Sequence, residues 1–181
     1  RADWRIVSLH PECDTDDTSP SALEPELPRN HFAQYAAMHK RCPAVKILLS
    51  IGGWTRCGYF SEMAYTKMGR ESFIDCCLAL LRRYEWLAGF DIDWEYPCDV
   101  RASDSEGNGV TIDKGCAGTP EDGKNFTLLM QDIRSELDKL GATNGKHYEL
   151  SAAMSASPTK MAEIEYDKGL DTVDFLNMMT Y

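Results

Sequence analysis

The sequence predicts an α/β fold, and within that class a (β/α)8 barrel of which about five of the eight strands fall in this chain. Three observations carry the prediction. Strand-like and helix-like segments alternate strictly along the 181 residues, as parallel strands joined by crossover helices require. Connections that follow strands are long and polar, whereas those leading into strands are short, as at Cys42-Pro43-Ala44. Loops after strand C-termini carry the site in barrels. Finally, no GxGxxG and no Walker A pattern follows any strand, so a nucleotide-binding doubly wound sheet loses its main support and no cofactor is expected.

In chain order, a strand is expected at residues 4–9, followed by a long loop from His10 to Pro28 and a helix at 30–41. The apolar run 45–51 gives the second strand and ends at Gly52-Gly53. Residues 70–86 place Phe73, Cys77, Leu80, Leu81 and Tyr84 at spacings of three and four, one buried helical stripe. The third strand, 88–95, leads into a Gly-, Asp- and Ser-rich stretch from Tyr96 to Glu121, far longer than the usual two to six residues of a βα connection. Helix 122–140 repeats the stripe with Phe126, Leu129, Met130, Ile133, Leu137 and Leu140. A strand at 148–154, a helix at 159–166 and a strand at 173–181 complete the pattern. A full barrel takes about 250 residues and eight strands, so residues 1–181 are expected to be the central part of a single barrel domain.

Composition is that of a soluble globular protein, with 43% hydrophobic and 27% charged residues. The net charge of −10 argues against nucleic acid and against an anionic membrane surface, and favours a neutral partner. Apolar runs such as 45–51 are too short to span a bilayer. No signal peptide is visible and the chain opens on Arg1, which reads as a mature or partial sequence. The seven cysteines form no CxxC pair, and no His lies at zinc-site spacing from them, so no metal cluster is expected. Cys98 and Cys116 bracket a Gly-rich stretch and are the best candidates for a loop disulfide. Cys76 and Cys77 fall mid-helix and read as buried thiols.

Between Gly89 and Pro97 the chain reads Phe90-Asp91-Ile92-Asp93-Trp94-Glu95-Tyr96. On a strand, Asp91, Asp93 and Glu95 share one face while Phe90, Ile92 and Trp94 take the other. An amphipathic edge strand with its acids in water is the plainer reading. Among strands that look buried and parallel, however, three carboxylates are costly unless used. A second stretch, Ser50-Ile51-Gly52-Gly53-Trp54, ends a strand on two glycines that let backbone approach a ligand, followed by an aromatic suited to stacking on a sugar.

Together these two motifs resemble those of glycoside hydrolase family 18, the chitinases, whose signatures are S-x-G-G and D-G-x-D-x-D-x-E on neighbouring barrel strands. Residues 46–55 and 146–153 and the closing Met179-Thr180-Tyr181 look like the bacterial chitinase A type. The resemblance implies hydrolysis of β-1,4-linked N-acetylglucosamine by a retaining, substrate-assisted route, in which the substrate's N-acetyl oxygen is the nucleophile. It implies that Glu95 is the general acid and then the base, that Asp93 holds the acetamido group, and that Asp91 shares a proton with Asp93. Tyr181 matches a tyrosine that donates its hydroxyl to the acetamido group. Trp54, Met179, Tyr96 and Gly53 match sugar-binding positions. The partner is then chitin or its oligosaccharides, the location extracellular, and the complete protein a monomer. The signature's first Asp is replaced by Ala88, expected at the base of the acidic row. The fragment alone is expected to be inactive and prone to aggregation.

Three other readings share parts of this pattern. A chitin-binding lectin of the same fold typically lacks the terminal Glu, which is present here as Glu95. An endo-N-acetylglucosaminidase acting on N-glycans shares DxDxE. A magnesium-dependent enzyme would use Asp91, Asp93 and Glu95 as oxygen ligands. His10, His31, His39 and His147 share no metal or triad spacing. The sequon Asn125-Phe126-Thr127 falls at a helix start, and Asp104 to Gly109 resembles a calcium loop that lacks Glu at its twelfth position, Gly115.

Overall fold

Strand β1 (Ile47–Gly52), strand β2 (Leu87–Asp93), strand β5 (Glu149–Ser155) and strand β6 (Phe175–Met179) form one parallel sheet in the order β1-β2-β5-β6, in a computed structural model. The structure describes residues 4–7, 11–21, 26–103 and 115–181. Each strand lies beside the next of the sheet in chain order, the topology of a sheet wound in one direction. A short antiparallel ladder of β3 (Val100–Arg101) and β4 (Cys116–Ala117) stands apart, within the long connection after β2.

The helices start where the sequence supplies an oxygen. Asn30 accepts from the Ala33 N–H at 2.8 Å and opens α1 (His31–Arg41). Thr66 accepts from the Gly69 N–H at 3.0 Å and opens α3 (Lys67–Arg83), directly after the short α2 (Phe60–Tyr65). Helix α4 (Asp122–Asn144) runs four residues past its expected end and stops at Gly145, whose φ of 72° suits a left-handed cap. The expected helix at 159–166 is instead two single turns, α5 (Pro158–Met161) and α6 (Tyr166–Gly169).

Phe73, Ile74, Cys77, Leu78 and Leu81 of α3 and Phe126, Leu129, Met130, Ile133 and Leu137 of α4 are buried against one face of the sheet. From that face come Phe90, Ile92, Leu150, Ala152 and Met154. Trp94 stacks on Phe60 with ring centroids 5.5 Å apart and meets Phe126 at 6.3 Å. The other face carries Ser50, Asp91, Ser151 and Asn177. Helices on one face only, among the described residues, fit a barrel wall rather than a doubly wound sheet.

Two further expectations require correction. The strand expected at 4–9 is not a strand over its described part: Trp4 and Ile6 pack their side chains on the core, but 4–7 join no ladder, and 8–9 lie outside the described residues. The sheet therefore has four strands here. The Cys98–Cys116 disulfide is also not formed; all seven cysteines are free thiols. The Cys98 sulfur faces the Pro120 carbonyl at 3.8 Å and that of Cys116 the Tyr96 carbonyl at 3.3 Å. The loop is closed instead by the β3–β4 ladder and by Asp122. Cys77 is buried as expected, whereas Cys76 is only half-buried, its sulfur 3.6 Å from the Trp4 carbonyl. The sequence resembling a calcium loop lies largely outside the described residues.

Candidate active site

The C-terminal ends of β1 and β2 build the site. Asp91 sits in register with Ser50 and Ser151, Asp93 with Gly52, and Glu95 lies two residues beyond the end of β2. Asp91 is held by three donors: Ser50 Oγ at 2.8 Å, Ser151 Oγ at 2.6 Å and Asn177 Nδ2 at 3.0 Å. Neither Ser151 nor Asn177 was singled out from sequence, because the donors to one carboxylate come from three strands that only the sheet brings together. Their signal lies in the strand pattern, each a polar residue inside a predicted strand.

Asp93 is held differently. Its Oδ1 is buried and finds no hydrogen-bond partner among the described residues. Burial first, then the charges of Glu95 and Asp91, push its carboxyl up to about 6. Glu95 is buried, and its peptide bond to Tyr96 is cis. Burial and the neighbouring Glu95 push the Tyr96 phenol up to about 12, so that it remains a hydrogen-bond donor across the neutral range.

Gly52 and Gly53 lie against this backbone. Gly52 has φ of 119°, and a Cβ there would stand 2.1 Å from the Asp93 carbonyl oxygen. The Gly53 N–H donates to that same oxygen at 2.8 Å. Trp54 follows, 47% exposed, and meets Tyr96 edge-on at 6.3 Å. The Arg101 guanidinium, carried by β3, lies 3.9 Å over the Trp54 ring and donates to the Trp54 carbonyl. Met179 ends β6 on the strand face that carries Asn177. Tyr181, two residues further, is fully exposed.

Ala88 sits at the register shift between Ile47/Leu48 and β2, and it lines a cavity of about 230 Å³ with His39, Trp86 and His147 at the opposite end of the strands. The same end of the sheet brings His147 Nε2 to 2.7 Å from Asp174 Oδ1 and 4.0 Å from Glu149 Oε2. Among the described residues this trio, and not Asp91, Asp93 and Glu95, has ligand atoms close enough together for an ion. Lys46 pairs with Glu149, and Arg134 stands 3.4 Å from Asp174, which balances its charge. Asn125 of the sequon is buried and presents no accessible amide.

Residues 7–181 match the family of glycosyl hydrolases family 18. The chain belongs to family 18. Chitinase A1 of Niallia circulans is 36% identical over 176 residues, which cover 97% of this chain and 24% of that protein. The chitinase ChiA74 of Bacillus thuringiensis superposes with a TM-score of 0.80 at 33% identity, over 98% of this chain and 27% of that one. The Group IV chitinase of Ostrinia furnacalis, solved in complex with allosamidin, gives 0.74 at 26% identity over 99% of this chain and 40% of that one. The chain thus spans about a quarter of the length of the curated relatives it matches. Family 18 membership makes the four-stranded sheet a section of a (β/α)8 barrel wall.

Proposed function

We propose that the protein containing this chain is a chitinase that hydrolyses β-1,4-linked N-acetylglucosamine polymers outside the cell, with retention of anomeric configuration and the substrate's own acetamido oxygen as nucleophile. The reading rests on one observation above all, the half-buried Asp93 carboxyl held between Asp91 and Glu95 with an oxygen unpartnered among the described residues. A carboxyl that keeps its proton to about pH 6 can bond an amide group without a full charge in the site. In this mechanism Asp93 orients the acetamido group, so that its carbonyl oxygen attacks the anomeric carbon. Glu95 donates its proton to the glycosidic oxygen as that bond breaks, then takes a proton from the water that opens the oxazolinium ring. Asp91, fixed by Ser50, Ser151 and Asn177, stands beside Asp93 as its proton partner. Trp54 and Tyr96 offer aromatic surface to the sugar rings, Gly53 allows close approach, and Met179 and Tyr181 complete the pocket from the β6 side. Chitinases among the relatives, and a relative bound to allosamidin, support the substrate class.

In the complete gene product, Glu95→Gln is expected to lower kcat on chitin oligosaccharides by about 10²–10⁴-fold, the usual contribution of a general acid, while binding persists. Activity within a few-fold of wild type overturns the assignment. Linkages between deacetylated sugars should not be cut, because the nucleophile is then absent. Preference for N-glycans over chitin would move the reading to the endo-N-acetylglucosaminidase class, and loss of activity with a chelator to the magnesium one. Binding of chitin without turnover by the wild-type protein would make it a lectin. The 181-residue chain alone is expected to show no turnover.

A further inference from the structure

β2 ends at Asp93, so the Glu95 N–H lies beyond the ladder that β1 could offer it. What it finds instead is sulfur. The Glu95 N–H donates to Cys57 Sγ across 3.0 Å, and the same thiol lies 3.0 Å from the Gly53 carbonyl and 3.2 Å from the Asp93 carbonyl. Cys57 opens the short 3-10 turn Cys57–Tyr59, just after the glycine pair, and is 1% exposed. One side chain from the β1 loop therefore contacts the backbone of Asp93, of Glu95 and of Gly53 beside them. The arrangement is satisfied as it stands, because a thiol can accept from one group while donating to another. Burial pushes the thiol up to about 12, so it keeps its proton at any working pH.

We infer that Cys57 is a positioning residue for the proposed reaction: its sulfur fixes the backbone at Glu95, and through the Gly53 and Asp93 carbonyls it locks the β1 loop to the end of β2. The inference rests on the proposed role of Glu95. A carboxyl whose backbone drifts by about 1 Å loses up to 10²-fold in rate, and nothing else described bonds the Glu95 N–H.

The test uses the complete gene product and three variants. Cys57→Ser keeps a donor and an acceptor and should hold kcat within about threefold of wild type. Cys57→Ala and Cys57→Val remove both functions, Val while keeping bulk, and should lower kcat about 10-fold or more with KM within twofold. Equal kcat in all four proteins overturns the inference, as does a change confined to KM or a Ser variant as impaired as Ala. Amide hydrogen exchange at Glu95 gives a readout independent of turnover: slow in wild type and Ser, faster in Ala and Val. If Ala and Val do not fold, rapid exchange at Glu95 in the wild-type protein still overturns the inference. If the wild-type protein cleaves no chitin while that amide is protected, the clamp stands and the proposed function fails.

Discussion

Asp91 and Asp93 differ by two positions on one strand yet have opposite surroundings. Three donors converge on the first, whereas the second has a buried oxygen without a partner among the described residues and two carboxylates for neighbours. The pH consequence follows from the sign of the shift. Because the folded pKa of Asp93 is raised to about 6 from an ordinary 3.8, its stabilising contribution is complete below about pH 4 and is lost as pH rises through 6. Asp93→Asn should remove that dependence. Thermal midpoints measured from pH 4 to 7 should therefore show the variant gaining on wild type as pH rises, even as its kcat falls severely; parallel curves would contradict the shift. The row itself was legible in the sequence, because alternation on a strand fixes which side chains share a face. Ser151 and Asn177 as donors to Asp91 were not, since no local pattern links residues 151 and 177 to residue 91.

At the scale of elements, the connection after β2 is organised by a residue the sequence did not single out. Asp122, in the first turn of α4, is fully buried and accepts from Ser61 Oγ at 2.7 Å, Thr119 Oγ1 and Thr119 N–H at 3.0 Å, and the Cys98 N–H at 3.3 Å. It joins α2, the loop and α4, where a disulfide was expected. Asp122→Ala would leave these donors buried and unpaired, at a cost of about 3 kcal/mol. A chemical denaturation midpoint close to wild type would show that water replaces the carboxylate. Gly52→Ala is the matching test on β1: its Cβ meets the Asp93 carbonyl oxygen at 2.1 Å in a backbone conformation of φ 119°. It should destabilise the protein and shift Asp93 together, measurable as a lower melting temperature and a lower kcat. Reading the helix stripes located α3 and α4 to within a few residues at most ends. The 159–166 segment failed because Pro158 can open a helix whose continuation depends on tertiary contacts.

For the whole molecule, β1 and β6 are the edges of the described sheet, and Phe175 and Met178 on β6 are 45% and 43% exposed. Unpaired edges with exposed apolar side chains template association. The 181-residue chain by itself should therefore elute as aggregate or oligomer in size-exclusion chromatography, despite a net charge of −10 that favours solubility; a stable monomer would show the edges to be tolerated. No helix among the described residues is long and apolar enough to cross a membrane.

The sequence by itself determined the α/β class, the parallel order of the elements, the common facing of Asp91 and Asp93 on β2, and the family. These follow from short-range periodicity and from two motifs contiguous in the chain, which local sterics alone can enforce. Tertiary structure decided the rest: Asp91 tethered across three strands, Asp93 left with an oxygen unpartnered among the described residues, Cys57 gripping the Glu95 backbone, and Asp122 in place of a disulfide. Each depends on register between segments far apart in sequence, which is set when the helices seal one face of the sheet and leave the carboxylates on the other.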